Sequence, residues 1–258
     1  MARRERTMCW AANAGVIRYG AACELQRRLV EARKGGAIPD VLLFCEHPHV
    51  ITLGRNGKRE NLRAGERLLK QMNVEFHATD RGGDITYHGP GQVVGYPILD
   101  LAEHRRDVRW YVEQLEEVMI RTAADYGLRA KRVEGKHGIW VETPAGEEKL
   151  AAIGVHLSRW VTSHGFAFNV STNLRYFDLI VPCGIADRRA TSLERLLGRA
   201  VRCDEAGKRL EAHFGEVFGQ EMISVTRDEL EEALSRGERK PEFAGLPAET
   251  EAARGSRA

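Results

Sequence analysis

The sequence predicts a mixed α and β fold in one domain, and three observations carry that expectation. Val108, Tyr111, Val112, Leu115, Val118, Met119, Thr122 and Tyr126 recur at helical spacing and mark one face of a long amphipathic helix. Strand-like segments at 130–133, 139–142 and 149–157 follow it, with Pro144, Ala145 and Gly146 as the turn between the last two, the signature of an antiparallel meander. With 258 residues, 43% hydrophobic and 29% charged, the chain can bury one full-sized core.

In chain order, residues 8–13 are apolar enough for a strand, and Ala22, Leu25, Leu29 and Val30 are spaced for a helix that Gly35 and Gly36 end. β-branched and apolar runs at 41–45 and 50–53 flank Glu46-His47-Pro48-His49, which fits either two strands or one strand bent at the proline. Asn56-Gly57 marks a turn, Leu68, Leu69 and Met72 a helix, and 74–78 a strand that leads into a glycine-rich segment; 92–99 leaves that segment as another strand. The long helix stops near Gly127. Beyond the meander, 164–170 is a further strand and 171–190 lacks periodicity. Thr191 or Ser192 caps a short helix through Leu197, and Asp204 caps a longer one that turns Leu210, Phe214, Val217 and Phe218 inward. No role is assigned to residues after Phe218, and from 237 the composition turns to Gly, Arg, Glu, Pro and Ala, so 237–258 is expected to be a disordered tail behind a domain covering 1–236.

A formal charge of +2 is too close to neutral for a dedicated nucleic-acid binder, so a macromolecular partner must dock on a local patch. No run approaches the roughly 18 apolar residues of a membrane span, and MARRERT at the amino terminus has no apolar stretch behind it. The five cysteines, Cys9, Cys23, Cys45, Cys183 and Cys203, are odd in number and form no CxxC pair, which argues against a disulfide framework and suits a reducing cytoplasm.

The densest chemistry lies in DRGGDITYHGPGQVVGY, residues 80–96. Paired glycines remove the Cβ atoms that hold a ligand off the backbone, while Arg81 offers a planar donor fork and Tyr87 and His88 offer polar tips. Cys45, His47 and His49 alternate as metal ligands on one strand face would, but Pro48 disturbs the strand and no further Cys/His cluster completes the set, so no metal site is expected, although His47 remains free to line a pocket. Cys183 sits on an aperiodic stretch between Pro182 and Gly184, a better setting for a reactive thiol than for core packing. Cys203, ahead of a helix start where the helix N-terminus lowers a thiol pKa, is the rival nucleophile. Lys149 heads the apolar run LAAIGVHL, so it is either a solvated strand end or a partly buried charge whose value depends on its neighbour.

RGGDITYHGPGQVVGYPILDL, GKHGIW, KLAAIGVHLSRWVTSHGFAFNV and VPCGI, in that order, closely resemble the lipoyl(octanoyl) transferases, which move octanoyl from acyl carrier protein to lipoyl domains. The resemblance covers roughly 8–218 and includes EHPHVITLGR at 46–55. It implies an α+β domain of the biotin- and lipoate-ligase type, with mainly antiparallel or mixed sheets flanked by helices. It places an acyl-thioester nucleophile at Cys183 and its activating lysine at Lys149. Substrate-binding segments fall on Arg81, Gly82, Gly83, Asp84, Ile85, Thr86, Tyr87 and His88, on Ala152, Ile153 and Gly154, and on Gly165, Phe166 and Ala167. Two small departures, Val181 before PCG and Phe166 for a commoner Leu, remove no reacting group.

The implied donor is octanoyl-acyl carrier protein, and the implied acceptors are lipoyl domains of 2-oxoacid dehydrogenases and the glycine cleavage H protein. A thioester already carries the transfer potential, so a soft nucleophile, a proton shuttle and an apolar channel suffice, with no cofactor. Three rivals share parts of the pattern: an ATP-dependent lipoate- or biotin-protein ligase, a non-catalytic acyl or lipoyl-domain binder, and a cysteine hydrolase with His88 or His164 as base. The ligases do not use a cysteine in a PCG loop, and a binder needs neither Cys183 nor Lys149.

Overall fold

A computed structural model, which describes residues 7–181 and 189–238, is an α+β domain. Its main sheet contains β1 (Thr7–Val16), β2 (Asp40–Glu46), β6 (Gln92–Ile98), β7 (Ala130–Val133), β8 (Lys136–Thr143), β9 (Gly146–Ser158), β10 (Val161–Asn169) and β12 (Gln220–Val225), with the short β11 (Arg189–Ala190) paired to β9. The strand order is β12-β1-β2-β6-β10-β9-β8-β7. β1 runs parallel to both β12 and β2, β11 runs parallel to β9, and the other pairs are antiparallel, so the predicted meander is present as β7-β8-β9-β10. A second sheet has the order β4 (Glu75–Ala78), β3 (Val50–Leu53), β5 (Ile85–His88). Glu46-His47-Pro48-His49 therefore separates two strands, and the strands belong to different sheets.

Helices α1 (Tyr19–Lys34) and α6 (Arg227–Glu238) cover one face of the main sheet; α3 (Val108–Ala124) and α5 (Cys203–Phe218) cover the other. Strand alternation feeds both cores: Leu42 and Phe44 of β2 join Leu115, Met119, Phe214 and Phe166, while Val41, Leu43 and Cys45 join Leu25, Leu29, Leu230 and Leu234. The short helices α2 (Glu66–Gln71) and α4 (Leu193–Leu197) close loops. A smaller cluster of Ile51, Leu69, Ile85, Tyr87 and Leu179 joins the second sheet to a 3₁₀ turn at Leu174–Leu179. No helix among the described residues is long and apolar enough to cross a membrane.

Three details differ from the sequence reading. Residues 85–88, inside the glycine segment, are a strand, because Ile85 and Tyr87 find an apolar cluster on one side. β12 and α6 extend the fold past Phe218: β12 has a parallel partner in β1, and α6 buries Leu230 and Leu234 against α1. Asp204 does not cap α5. Arg202 stands at the N-cap without a side-chain cap bond, and Asp204 lies in the first turn, paired to Arg202 at 2.8 Å. Ser192 rather than Thr191 caps α4, its Oγ accepting from the Arg195 N–H at 3.3 Å.

Candidate active site

A cavity of about 560 Å³ opens where the glycine segment crosses β9 and β10. The crossing is tight because both strands carry glycine there. Gly154 pairs with Gly165 across the β9–β10 ladder, and a Cβ on Gly154 would lie 2.8 Å from the Gly82 carbonyl oxygen. In return, the Gly82 N–H donates to the Val155 carbonyl at 2.8 Å and ties the segment to β9. Ala152 pairs with Ala167 and Ile153 with Phe166, and all six residues of the two short motifs line the cavity.

From the glycine segment Arg81, Gly83, Asp84, Ile85, Thr86 and His88 also line it; Gly82 and Tyr87 do not. The Arg81 fork is turned onto β3. Nε donates to Thr52 Oγ1 at 3.0 Å, Nη2 to the Thr52 carbonyl at 2.7 Å, and Nη1 to the Gly82 carbonyl at 3.0 Å. Arg81 thus fastens the segment to the small sheet. Asp84 is held similarly, its Oδ2 accepting from Asn61 Nδ2 at 2.7 Å. Tyr87 points to the other face of β5, where its hydroxyl meets His49 Nδ1 at 2.7 Å and its ring stacks on Tyr176 with centroids 5.0 Å apart. Alternation along the strand sets Thr86 and His88 opposite Tyr87, while Ile85, on the Tyr87 side, reaches the cavity from the start of the strand.

His88 Nδ1 lies 2.8 Å from Gln92 Oε1. Burial, with electrostatic opposition from His47 and Arg81, pushes His88 down to about 3, so its ring is neutral at ordinary pH. His164 also lines the cavity, with Nε2 2.8 Å from Asp80 Oδ1; burial lowers its pKa and the Asp80 carboxylate only partly offsets that. His47 is not part of the lining. Its ring bridges the Ile17 carbonyl and the Tyr96 hydroxyl, each at 2.7 Å, and His49 stacks instead on Tyr176. Among the described residues no group of three His, Cys, Asp or Glu side chains is placed to hold a metal ion.

Lys149 is a cavity residue rather than a solvated strand end. Its Nζ lies 4.7 Å from the centroid of the Trp140 ring, which is buried. Lys149 is also the residue that Ala190 meets in the β11–β9 pairing, and its carbonyl accepts from the Thr191 N–H at 2.9 Å. Cys183 lies outside the described residues. The residues on either side of that segment are at the cavity: Ile180 and Val181 before it, Arg189 and Ala190 after it. Cys203 departs from the sequence reading. Burial and the Glu46 carboxylate push its thiol up to about 12, against the lowering expected from the helix start, and it is absent from the cavity lining.

Trp140, Gln92 and Asn169 are cavity residues that the sequence did not single out. Each sits on a strand with a core-like pattern, so only the pairing of β6, β8, β9 and β10 brings them to the site.

The Lipoyl protein ligase A/B catalytic domain family matches residues 18–215. The chain is 54% identical over 215 residues to an octanoyltransferase of Solibacter usitatus, covering 83% of this chain and 95% of that protein. An octanoyltransferase of Acidobacterium capsulatum is 48% identical over 244 residues, covering 90% and 96%. Among solved structures, a bipartite lipoate protein ligase from Thermoplasma acidophilum superposes with a TM-score of 0.69 at 18% identity, covering 89% of this chain and 91% of that one. A lipoate-protein ligase A bound with ATP gives 0.65 at 14% identity, covering 90% and 93%. The ligase structures establish the shared fold, while the closer sequence kinship separates this chain from them: it belongs to the octanoyltransferases of the lipoyl protein ligase A/B catalytic-domain family.

Proposed function

We propose that the protein transfers octanoyl from an acyl carrier protein to a lysine amine of lipoyl domains, such as those of 2-oxoacid dehydrogenases and the glycine cleavage H protein, through a thioester on Cys183. The supporting observation is that Val181 and Arg189, which flank the segment carrying Cys183, line one cavity together with Lys149. Cys183 follows Val181 by two residues, and two residues of chain reach at most about 7 Å.

In the first half-reaction the Cys183 thiolate attacks the carrier-bound thioester carbonyl. A new C–S bond forms, the old one breaks, and the departing pantetheine thiolate takes a proton from Lys149. In the second, the lipoyl-domain amine attacks the acyl-cysteine carbonyl, the cysteine leaves as thiolate, and Lys149 takes the proton lost by the amine. Ala152, Ile153, Phe166 and Ala167, on the cavity wall that the paired β9 and β10 form, give an alkyl chain apolar contact. Each buried methylene contributes about 0.8 kcal/mol to that fit. The thioester supplies the driving force, so no nucleotide enters the scheme.

Intact-mass spectrometry after mixing the protein with octanoyl-acyl carrier protein, without ATP, tests this reading. A gain of one octanoyl group on the enzyme supports it. Modification of a lipoyl domain only with free octanoate and ATP overturns it in favour of a ligase.

A further inference from the structure

A run of four hydrogen bonds joins the glycine segment, the chain that follows residue 188 and the backbone of Lys149, and the side chains in it are buried. His88 Nδ1–H donates to Gln92 Oε1 at 2.8 Å, and Gln92 Nε2 donates to Asn169 Oδ1 at 2.9 Å. Asn169 Nδ2 donates to the Thr191 carbonyl at 3.0 Å, and the Thr191 N–H donates to the Lys149 carbonyl at 2.9 Å. Gln92 is 1% exposed, Asn169 4% and Thr191 0%. Such groups have little water to fall back on.

The polarity of the chain is forced from one end. A backbone carbonyl only accepts, so the Asn169 amide must turn its NH₂ to Thr191 and its oxygen to Gln92. Gln92 must then turn its own oxygen to His88, which fixes the His88 proton on Nδ1. Asn169 is the central link. It lines the cavity from the last position of β10, two residues beyond Ala167, and its partner Thr191 is bonded to the backbone of Lys149.

We propose that Asn169 is a positioning residue for acyl transfer: by gripping the Thr191 carbonyl it fixes where the chain leaves the segment carrying Cys183, beside Lys149. This rests on the reading that Cys183 and Lys149 are the reacting pair. Asn169 is suited to the task because it accepts from β6 and donates to the residue just past β11 through one rigid amide. Aspartate has the same shape and still accepts from Gln92, but when ionised it sets a carboxylate oxygen against the Thr191 carbonyl. Leucine at position 92 cuts the chain one link earlier.

The test compares wild type, Asn169→Asp, Gln92→Leu and the double variant, with octanoyl-pantetheine as a small donor. Acyl-enzyme formation, kcat, KM and thermal midpoint are measured for each. Asn169→Asp is expected to lower kcat about 10- to 100-fold, the scale of a small misplacement of reacting groups, with KM within about threefold. The double variant is expected to be no slower than Asn169→Asp, because both changes cut one chain. Wild-type kcat in Asn169→Asp, or effects of the two changes that multiply, overturns the proposal. If Asn169→Asp does not fold, Gln92→Leu is judged by the same kcat and KM criteria. If the wild-type enzyme itself forms no acyl adduct, the acyl-transfer reading fails; if it does and the variants keep pace, only the role of Asn169 fails.

Discussion

Lys149 Nζ stands 4.7 Å from the centroid of the Trp140 ring, and Lys136 Nζ approaches the same indole at 5.0 Å while also pairing with Glu147 at 3.1 Å. One buried indole thus holds two ammonium groups at the cavity, a contact worth about 0.5–2 kcal/mol each according to solvent exposure.

Lys149 is expected to act on the Cys183 thiol through charge and on the acyl transfer through its proton. An ammonium about 4 Å from a thiolate gains on the order of 4 kcal/mol at an effective dielectric near 20, before desolvation is subtracted. Lys149→Ala should therefore raise the thiol pKa by about one to two units, at roughly 1.4 kcal/mol each, and slow both half-reactions. Lys149→Arg should keep more of the alkylation rate at neutral pH and still turn over poorly, since arginine does not release its proton. Iodoacetamide alkylation against pH checks the first role, and wild-type turnover in Lys149→Arg would rule out the second.

The acyl group should be trapped on Cys183 alone. Cys203 is disfavoured because burial and Glu46 push its thiol up to about 12, leaving little thiolate at neutral pH. Cys183→Ser should lose the adduct and Cys203→Ser should retain it. Peptide mapping that places octanoyl on Cys203 reverses the assignment.

His88 should give the protein an acid-sensitive component of stability. Its ordinary value of 6.5 falls to about 3 in the fold, so between those values the unfolded chain binds the extra proton. Stability is then complete above pH 6.5 and declines as pH drops toward 3, by up to about 1.4 kcal/mol per pH unit. His88→Gln should start lower at pH 7 yet lose urea resistance more gradually on acidification. Wild-type and variant profiles that run parallel would show that His88 contributes nothing to the slope.

An acidic carrier protein is expected to dock near Lys58, Arg59 and Arg63 rather than near Arg105 and Arg109. Arg63 lines the cavity and Arg59 meets Glu66 only at 3.8 Å, whereas Arg105 is paired with Asp107 at 2.8 Å and Arg109 with Glu113 at 2.9 Å. Reversing Lys58 and Arg59 should raise KM for the carrier and flatten its salt dependence, with turnover of octanoyl-pantetheine unchanged. Reversing Arg105 and Arg106 should change neither. Equal losses on both donors point to general damage instead.

Periodicity made the cores legible: the predicted face of α3 packs with α5, and the meander follows its turn signal. The family motifs marked most of the cavity wall, from Arg81 to Ala167, because its tight crossing depends on glycines that are visible in one dimension. The split roles inside those motifs were not visible. Arg81 looked like a ligand fork until Thr52, on a strand 29 positions earlier in the chain, took three of its bonds. Asn169 and Gln92 stood in apolar runs, and their partnership spans 77 positions. Gln220 likewise became meaningful only when β12 brought it 2.6 Å from Asp40 in the opposite half of the chain.

The parallel pairing of β1 with β12 has a consequence for biosynthesis. The seventh residue is matched to the two-hundred-and-twentieth, so an early-made strand keeps one open hydrogen-bonding edge until a late-made one emerges. Such a pairing maximises the loop closed on folding and delays the last stage of assembly. Until then the ribosome-bound chain exposes both that edge and the patch destined for Leu230 and Leu234, a template for intermolecular strand addition. A stop codon after Phe218 would make that transient vulnerability permanent, even with the entire cavity lining already synthesised.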